Sequence, residues 1–484
     1  MIIRWICEKC TKKWIYPIEK CVYCKGSTTK QKGSTLKVIG VTKVTIPSPM
    51  HPIIPYNILL LQDEFGNRLP KKTMKQYMIG DSYVEQKAKN DNAVAVVKVK
   101  YDVYEAIKES LELLNGTSLN PDDKILIKPS IVTAAYPYQA VNVSPNFMDS
   151  LLKVLFNYGI KKENIMAAES SLIGSDTLDA ASKAGILEIC KRHGITFADM
   201  SKGHFEEIES DGYKFKIFKE ALSRKVINAP IMKTNFQLGI SGALENLSRL
   251  VDDETQRKMY FDGIEEALPK LAKLLPDALT IADATNGMQG QGPLTLGEPA
   301  FLNLVFASKN PAALDIIFCE STMLEIPHYV SSYDNNLNVD AIEVVGNELD
   351  ALKYPIKPSN PHTTVHPDIK VIDGKSCPAC LNMMNNLTSN LVGLRGRPIN
   401  VVIGSMITQD MLGGKSRLVA IGGCAIKKLE ELKTKPIAKI NEDIDEIEQI
   451  VLLKKLLTTE GEPKITPVDK VKSKMKKLLS KVIH

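Results

Sequence analysis

The sequence is short of the features that place a protein at once. No stretch approaches the roughly 18 consecutive apolar residues of a membrane span. The residues after Met1 soon bring two cysteines rather than the apolar core of a signal peptide, so a cytoplasmic chain is expected. Charge of one sign is also scarce: 62 basic against 56 acidic side chains leave +6, too small an excess to point to nucleic acid by itself. No internal repeat of solenoid length is present. Ser170-Ser171 and Ser241-Gly242 sit in no G-x-S-x-G elbow, which weakens a serine nucleophile. Gly287 to Gly292 lacks the helix start and the distant acidic residue of a dinucleotide fingerprint.

What is present is an ordinary globular composition, 44% hydrophobic and 24% charged, in 484 residues. That length suggests about two to four domains. Nine cysteines occur, six of them in CxxC pairs, a spacing that without a signal peptide favours metal or redox chemistry over disulfides. Cys7, Cys10, Cys21 and Cys24 form two knuckles separated by the strand-like Trp14 to Pro17. Two such turns brought together satisfy a zinc tetrahedron with no open position, so this site is expected to be structural. A dithiol redox pair would need only one CxxC and a βαβ setting.

The pattern divides the chain into a zinc ribbon over 1–33, a small antiparallel β-barrel over 34–85, an α/β domain over 92–345, a cysteine-containing continuation over 346–430 and a helical basic tail over 431–484. From Ala93 strands alternate with helices, which predicts a mostly parallel sheet covered on both faces. Three polar loops follow predicted strands, where open α/β sheets bind ligands. They are Lys128-Pro129-Ser130, then Lys233-Thr234-Asn235 with Asn246 beyond it, and the Asp283 to Pro293 loop containing Gly290 and Gly292.

Lys128 and Lys233 are point charges suited to a carboxylate or phosphate, and the glycines allow backbone N–H groups to approach an anion. The competing reading makes the lysines buried partners of Asp283 or Asp315 and the glycines mere turn residues. Asp283 has three open roles: base, metal ligand or lysine partner. On the site reading Lys128, Lys233 and Asp283 carry chemistry, while Ser130, Thr234, Asn235, Asn246, Gly290 and Gly292 hold substrate. The three loops favour an enzyme without indicating a reaction.

The ribbon and the run Ile58 to Gly66 resemble the DUF35 family, in which a zinc ribbon precedes an OB-fold. That resemblance implies an accessory module associated with thiolases and related acyl-CoA enzymes. The three loops resemble the DUF362 family over about Ala93 to Glu320. This chain departs from that family's pattern at Ser130, Asn235 and Glu245. The implied substrate is anionic, with an acyl thioester as one form. A scaffold docking a thiolase-like enzyme is the alternative. Nucleic-acid binding by the OB-like part ranks lowest, because 34–83 shows no clear basic and aromatic stripe.

Cys377-Pro-Ala-Cys380 and the later Gly422-Gly423-Cys424 offer three thiols flanked by turn formers. Such a set fits three irons of a [4Fe–4S] cluster with one iron left open, and members of the DUF362 family often carry iron–sulfur motifs. Alternatives are zinc completed by His362 or His366, a redox dithiol, or plain buried cysteines. Cys190 and Cys319 are expected in the core, although Cys319 is also a candidate fourth ligand. Val468 to Ile483 carries an apolar stripe with lysines between, read as a docking helix or a membrane-surface helix.

Overall fold

The computed structural model describes residues 1–458 apart from 50, 174, 276–278, 336, 360–365, 390, 392–393, 442–443 and 445. His362 and the tail stripe lie outside the described residues. The chain divides into two compact units, one of Met1–Ser171, Asp176–Asp252 and Glu265–Ser359, the other of Leu172–Ser175, Asp253–Ile264 and Asn360–His484.

The first unit begins with β1 (Ile2–Cys7), β2 (Lys13–Trp14) and β3 (Thr28–Gly33), paired in the order β2-β1-β3. The chain's two tryptophans face each other in this register, Trp5 opposite Trp14, and both are buried. Aromatic cross-strand pairs of this kind stabilise small sheets. Trp5 also meets Tyr101 edge-on with ring centroids 5.6 Å apart. Lys30 and Lys32 on β3 pair with Glu105 and Glu112 of the helix Val103–Leu113, which fixes the ribbon against that helix.

Next come β4 (Leu36–Val44), β5 (Tyr56–Gln62), β6 (Arg68–Thr73) and β7 (Ser82–Tyr83). They form a curled four-stranded antiparallel sheet in the order β6-β5-β4-β7, with a register shift at Val38/Gly40 that bends β4. Of the expected small barrel, the described residues show this curled antiparallel sheet. With only two residues, β7 pairs at Leu36 and Lys37 and has no pairing with β6.

The large sheet of this unit contains β8 (Val94–Lys98), β9 (Ile125–Pro129), β10 (Ile165–Glu169) and β11 (Thr196–Asp199). After the hairpin β12 (Phe205–Ser210) and β13 (Tyr213–Phe218), it adds β14 (Lys225–Ala229), β15 (Ile231–Asn235), β16 (Gly239–Ser241) and β17 (Leu279–Gly290). The strands β18 (Gly297–Pro299), β19 (Leu304–Ser308) and β20 (Val344–Gly346) complete it. Its main path is β11-β10-β9-β14-β17-β19-β8-β20, in which β19 alone runs against its neighbours. The sheet is therefore mixed.

Both faces of β8 and β9 are buried, as the apolar runs Val94 to Val97 and Ile125 to Ile127 require. Helix starts are capped as the sequence allows. Asp102 accepts from Glu105 N–H, Ser144 from Phe147 N–H, and Asn310 from both Ala312 and Ala313 N–H.

Pro230 interrupts β14 and β15. It has no N–H to give the ladder, yet its carbonyl accepts Asp283 N–H at 2.8 Å, and the chain resumes along β17 with a shifted register. That break carries Lys233, Thr234 and Asn235 past the carboxyl end of the parallel core.

The second unit holds four parallel strands in simple sequence order, β21 (Ile369–Gly374), β22 (Ile399–Gly404), β23 (Leu418–Ile421) and β24 (Ala438–Ile440). Helices Pro378–Ser389, Gly423–Glu431 and Glu446–Thr458 follow strands, and Val402, Ile407, Ala420 and Leu429 centre a separate core. The helix Asp253–Asp262 belongs to this unit although it lies between β16 and β17 in the chain.

Candidate functional site

In the ribbon the knuckles place four sulfurs within 4.8 Å of one another. Cys7 and Cys24 stand 3.4 Å apart and Cys10 and Cys21 3.5 Å apart, close to the ~3.8 Å edge of a tetrahedral thiolate site and far beyond a ~2.05 Å disulfide. Backbone N–H groups of Lys9 and Cys10 point at Cys7 Sγ, and that of Cys24 at Cys21 Sγ, each at 3.4 Å.

Burial opposes ionisation of Cys21, but N–H groups of Cys24 and Tyr23 outweigh it and hold the thiol down at about 6. Cys10 is pushed up to about 12, since burial and the three adjacent thiols overcome the Lys12 N–H. Four thiols so close cannot all ionise unaided, and a divalent cation removes that conflict. The residues present therefore fit a metal ion.

The central loops form a buried polar cluster. Lys128 Nζ, at the end of β9, donates to Glu169 at 2.7 Å and to Asn246 Oδ1 and Pro129 O at 3.2 Å. Its partner is thus Glu169, not Asp283 or Asp315. Burial pushes Lys128 down and Glu169 up. Glu169 also accepts N–H from Ile131 at 3.0 Å and Ser170 at 2.8 Å, which favours the ionised carboxylate. Asn246 returns its amide to Lys128 O and to Asn228 Oδ1.

Lys233 is 1% exposed and donates to Val141 O at 2.8 Å, with burial holding its amine down at about 8. Asp283 is fixed by Ser144 N–H at 3.0 Å and by Thr285 N–H and hydroxyl, so it and Lys233 both anchor the 141–144 segment. Asp315 accepts N–H from Ala243 and Leu244, and burial pushes it up to about 7.

The remaining loop residues mostly pair with one another. Thr234 donates to Gly290 O, Asn235 donates to Ser241 Oγ, and Ser130 N–H goes to Ala229 O. Gly290 N–H donates to Lys357 O and Gly292 N–H to Gly290 O, so both amides are occupied within the protein. A Cβ at Gly292 would meet Thr234 O at 2.2 Å, which explains the glycine by close approach.

The third cysteine set gathers at the carboxyl edge of the second unit's sheet. Cys377 precedes the helix Pro378–Ser389, Cys380 lies in its first turn, and Cys424 lies in the first turn of Gly423–Glu431. All three line one small recess with Lys375, Gly404, Ser405, Arg257 and Tyr260. Cys377 and Cys380 sulfurs are 3.9 Å apart.

Among the described residues only the ribbon supplies three or more ligand atoms all within 4.8 Å. Cys424 Sγ therefore stands farther than that from at least one of the other two. Gly422 has φ +87°, and a Cβ there would lie 2.4 Å from Cys380 Sγ, so glycine is what allows the two loops to meet. His366 is committed elsewhere: its Nδ1 accepts Asp368 N–H and its Nε2 meets Leu394 O at 2.9 Å. Cys190 and Cys319 are buried in the first unit, and burial raises both thiols.

Sequence reasoning missed Glu169, Arg257 and Lys375. A charged residue closing the apolar strand Ile165 to Ala168 was a usable signal for the first. Arg257 had none, lying about 120 positions before the cysteines it joins. The curled sheet also gathers Lys43, Tyr56 and Tyr77 around a recess, with Lys72 Nζ 4.4 Å from the Tyr56 ring centre, a grouping the linear sequence hides.

Among the described residues no helix is long and apolar enough to cross a membrane. Over 289 residues the chain is 24% identical to the "Thylakoid-associated protein" of Synechocystis sp., covering 57% of this chain and 83% of that protein. A solved structure titled "Ltp2-ChsH2(DUF35) aldolase" matches at 21% identity over 18% of this chain and 75% of its own, with a TM-score of 0.15. Residues 125–320, from β9 to the helix Pro311–Thr322, match the family model described as a domain of unknown function, DUF362.

Proposed function

We propose that this chain is an iron–sulfur metalloprotein acting on a small anionic substrate. In this reading the ribbon thiols hold a structural zinc, and Cys377, Cys380 and Cys424 hold a cluster that leaves one iron open. The observation that carries it is the meeting of three cysteines from two separate strand ends in one recess. Soft thiolates suit iron–sulfur centres, and the first turns of two helices stabilise them as thiolates. The 3.9 Å between the Cys377 and Cys380 sulfurs is a spacing that zinc also takes, so the softness and number of the thiols, not their distance, support the cluster. When bound, the cluster supplies a Lewis-acidic iron. Cys377, Cys380 and Cys424 would hold it at the starts of two helices, leaving one iron without a protein ligand.

Full-length protein purified without oxygen from iron-sufficient cells should contain iron and sulfide and absorb broadly in the visible. Colourless, iron-free protein from that preparation would end this reading. The acyl-thioester substrate and the thiolase-like partner rest on the N-terminal resemblance, and a coenzyme A binding titration tests them. A second reading, nucleic acid on the curled sheet, is favoured only by the Lys72 and Tyr56 contact. Filter binding at two salt concentrations checks it through the salt slope.

A further inference from the structure

We propose that the recess of the second unit binds an oxyanion head group, carboxylate or phosphate, through Arg257 and Lys375, which deepens the cluster reading and rests on it only for the nearby iron. The lining contains two cations and no carboxylate. Elsewhere lysines are commonly paired, as Lys353 is with Glu320, Lys357 with Glu298 and Lys439 with Glu430. Among the described residues the side chains of Arg257 and Lys375 have no hydrogen bond or ion pair. Both side chains are exposed, so an anion entering the recess would meet two accessible cations on its rim.

The guanidinium presents a planar fork that matches two oxygens of a carboxylate or phosphate, and the ammonium adds a point charge. Ser405 brings a hydroxyl to the same wall, while its N–H is already given to Gly374 O at 2.9 Å. The starts of Pro378–Ser389 and Gly423–Glu431 add partial positive charge. The rival explanation is that the cations only balance thiolate charge.

The test uses full-length protein prepared without oxygen, titrated with inorganic phosphate and with acetate by calorimetry, alongside iron analysis and the visible spectrum. Arg257→Gln and Lys375→Gln should each weaken binding of the anion by roughly tenfold, a charge-assisted hydrogen bond being at stake. Iron content should stay unchanged, and saturating anion should shift the visible spectrum of the unsubstituted protein. If iron is absent but binding still depends on Arg257 and Lys375, the oxyanion site stands and the cluster reading falls. If iron is present and the double variant binds as well as the parent, or the parent binds neither anion, the oxyanion site is overturned. The same holds if the substitutions alter only the cluster's spectrum or stability, which is what charge balance alone predicts.

Discussion

In the ribbon, Cys7 and Cys24 lie 17 positions apart on turns of one antiparallel sheet. In the second unit the thiols come from the ends of β21 and β23, with β22 between them. The ribbon's buried set is Ile3, Trp5, Cys7, Trp14 and Cys21, in which two members belong to the four-cysteine cluster. A core that small rarely holds a fold alone, so a metal ion bound there would supply folding energy. The second unit has a larger apolar cluster of its own, including Ile372, Val402, Ile407, Leu418, Ala420 and Leu429, and Cys380 is buried as well. That apolar cluster does not depend on thiols, so a group held by Cys377, Cys380 and Cys424 would be free to serve a ligand.

The widest consequence of this contrast concerns Cys10→Ser. It should remove zinc and unfold the ribbon, a loss on the order of 10 kcal/mol of metal-linked folding, while the α/β part keeps its helical signal. Limited proteolysis with zinc analysis checks this, and stoichiometric zinc in the variant would erase the distinction between the two sites. Cys424→Ala should instead abolish visible absorption while shifting stability by only about 1 kcal/mol, measured by urea unfolding. Unfolding of the second unit on chelation would place it in the ribbon's class.

The buried cluster around Lys233 needs no metal and gives a third kind of site to set beside these two. Its amine has a folded pKa of about 8 against 10.5 for the ordinary group. Between those values the unfolded chain holds a proton that the folded chain has released, so stability rises as pH rises through this window. The rise is on the order of 3 kcal/mol, and Lys233→Met should flatten it in urea titrations at pH 7.5 and 10. An equal pH slope in parent and variant would show that the amine is not buried as described.

The smallest effect separates two glycines. Gly422→Ala puts a methyl against Cys380 Sγ at positive φ and should cost about 1–3 kcal/mol. Gly26→Ala in the ribbon meets Lys9 Cβ at 3.0 Å without that backbone strain and should cost less, as thermal melts would show.

The ribbon was readable from sequence because both CxxC pairs are local and their geometry follows from spacing. The alternation of β9, β10 and β14 with helices was readable for the same reason, since each strand centres on a short apolar run. What was not readable depended on distant pairing. The two-residue β7 gives no pattern that distinguishes an open curled sheet from a barrel. The sequence offered Asp283 or Asp315 as partners for Lys128, and only the parallel neighbours β9 and β10 select Glu169. The reversed β19, which makes the sheet mixed, carries the same apolar signature as a parallel strand.

The helix Asp253–Asp262 has a consequence for how this protein can be taken apart. The chain leaves the first unit there, contributes Met259 and Tyr260 as buried residues of the second, and returns. A cut after Ser359 would strand those apolar side chains in water, so the truncated piece should aggregate rather than behave as a free-standing cassette. Gene fusion or recombination at a single point cannot exchange the cysteine-bearing unit intact, because the segment Asp253–Ile264 is encoded about 100 codons upstream of the main part that starts at Asn360. The two units are therefore inherited as one piece.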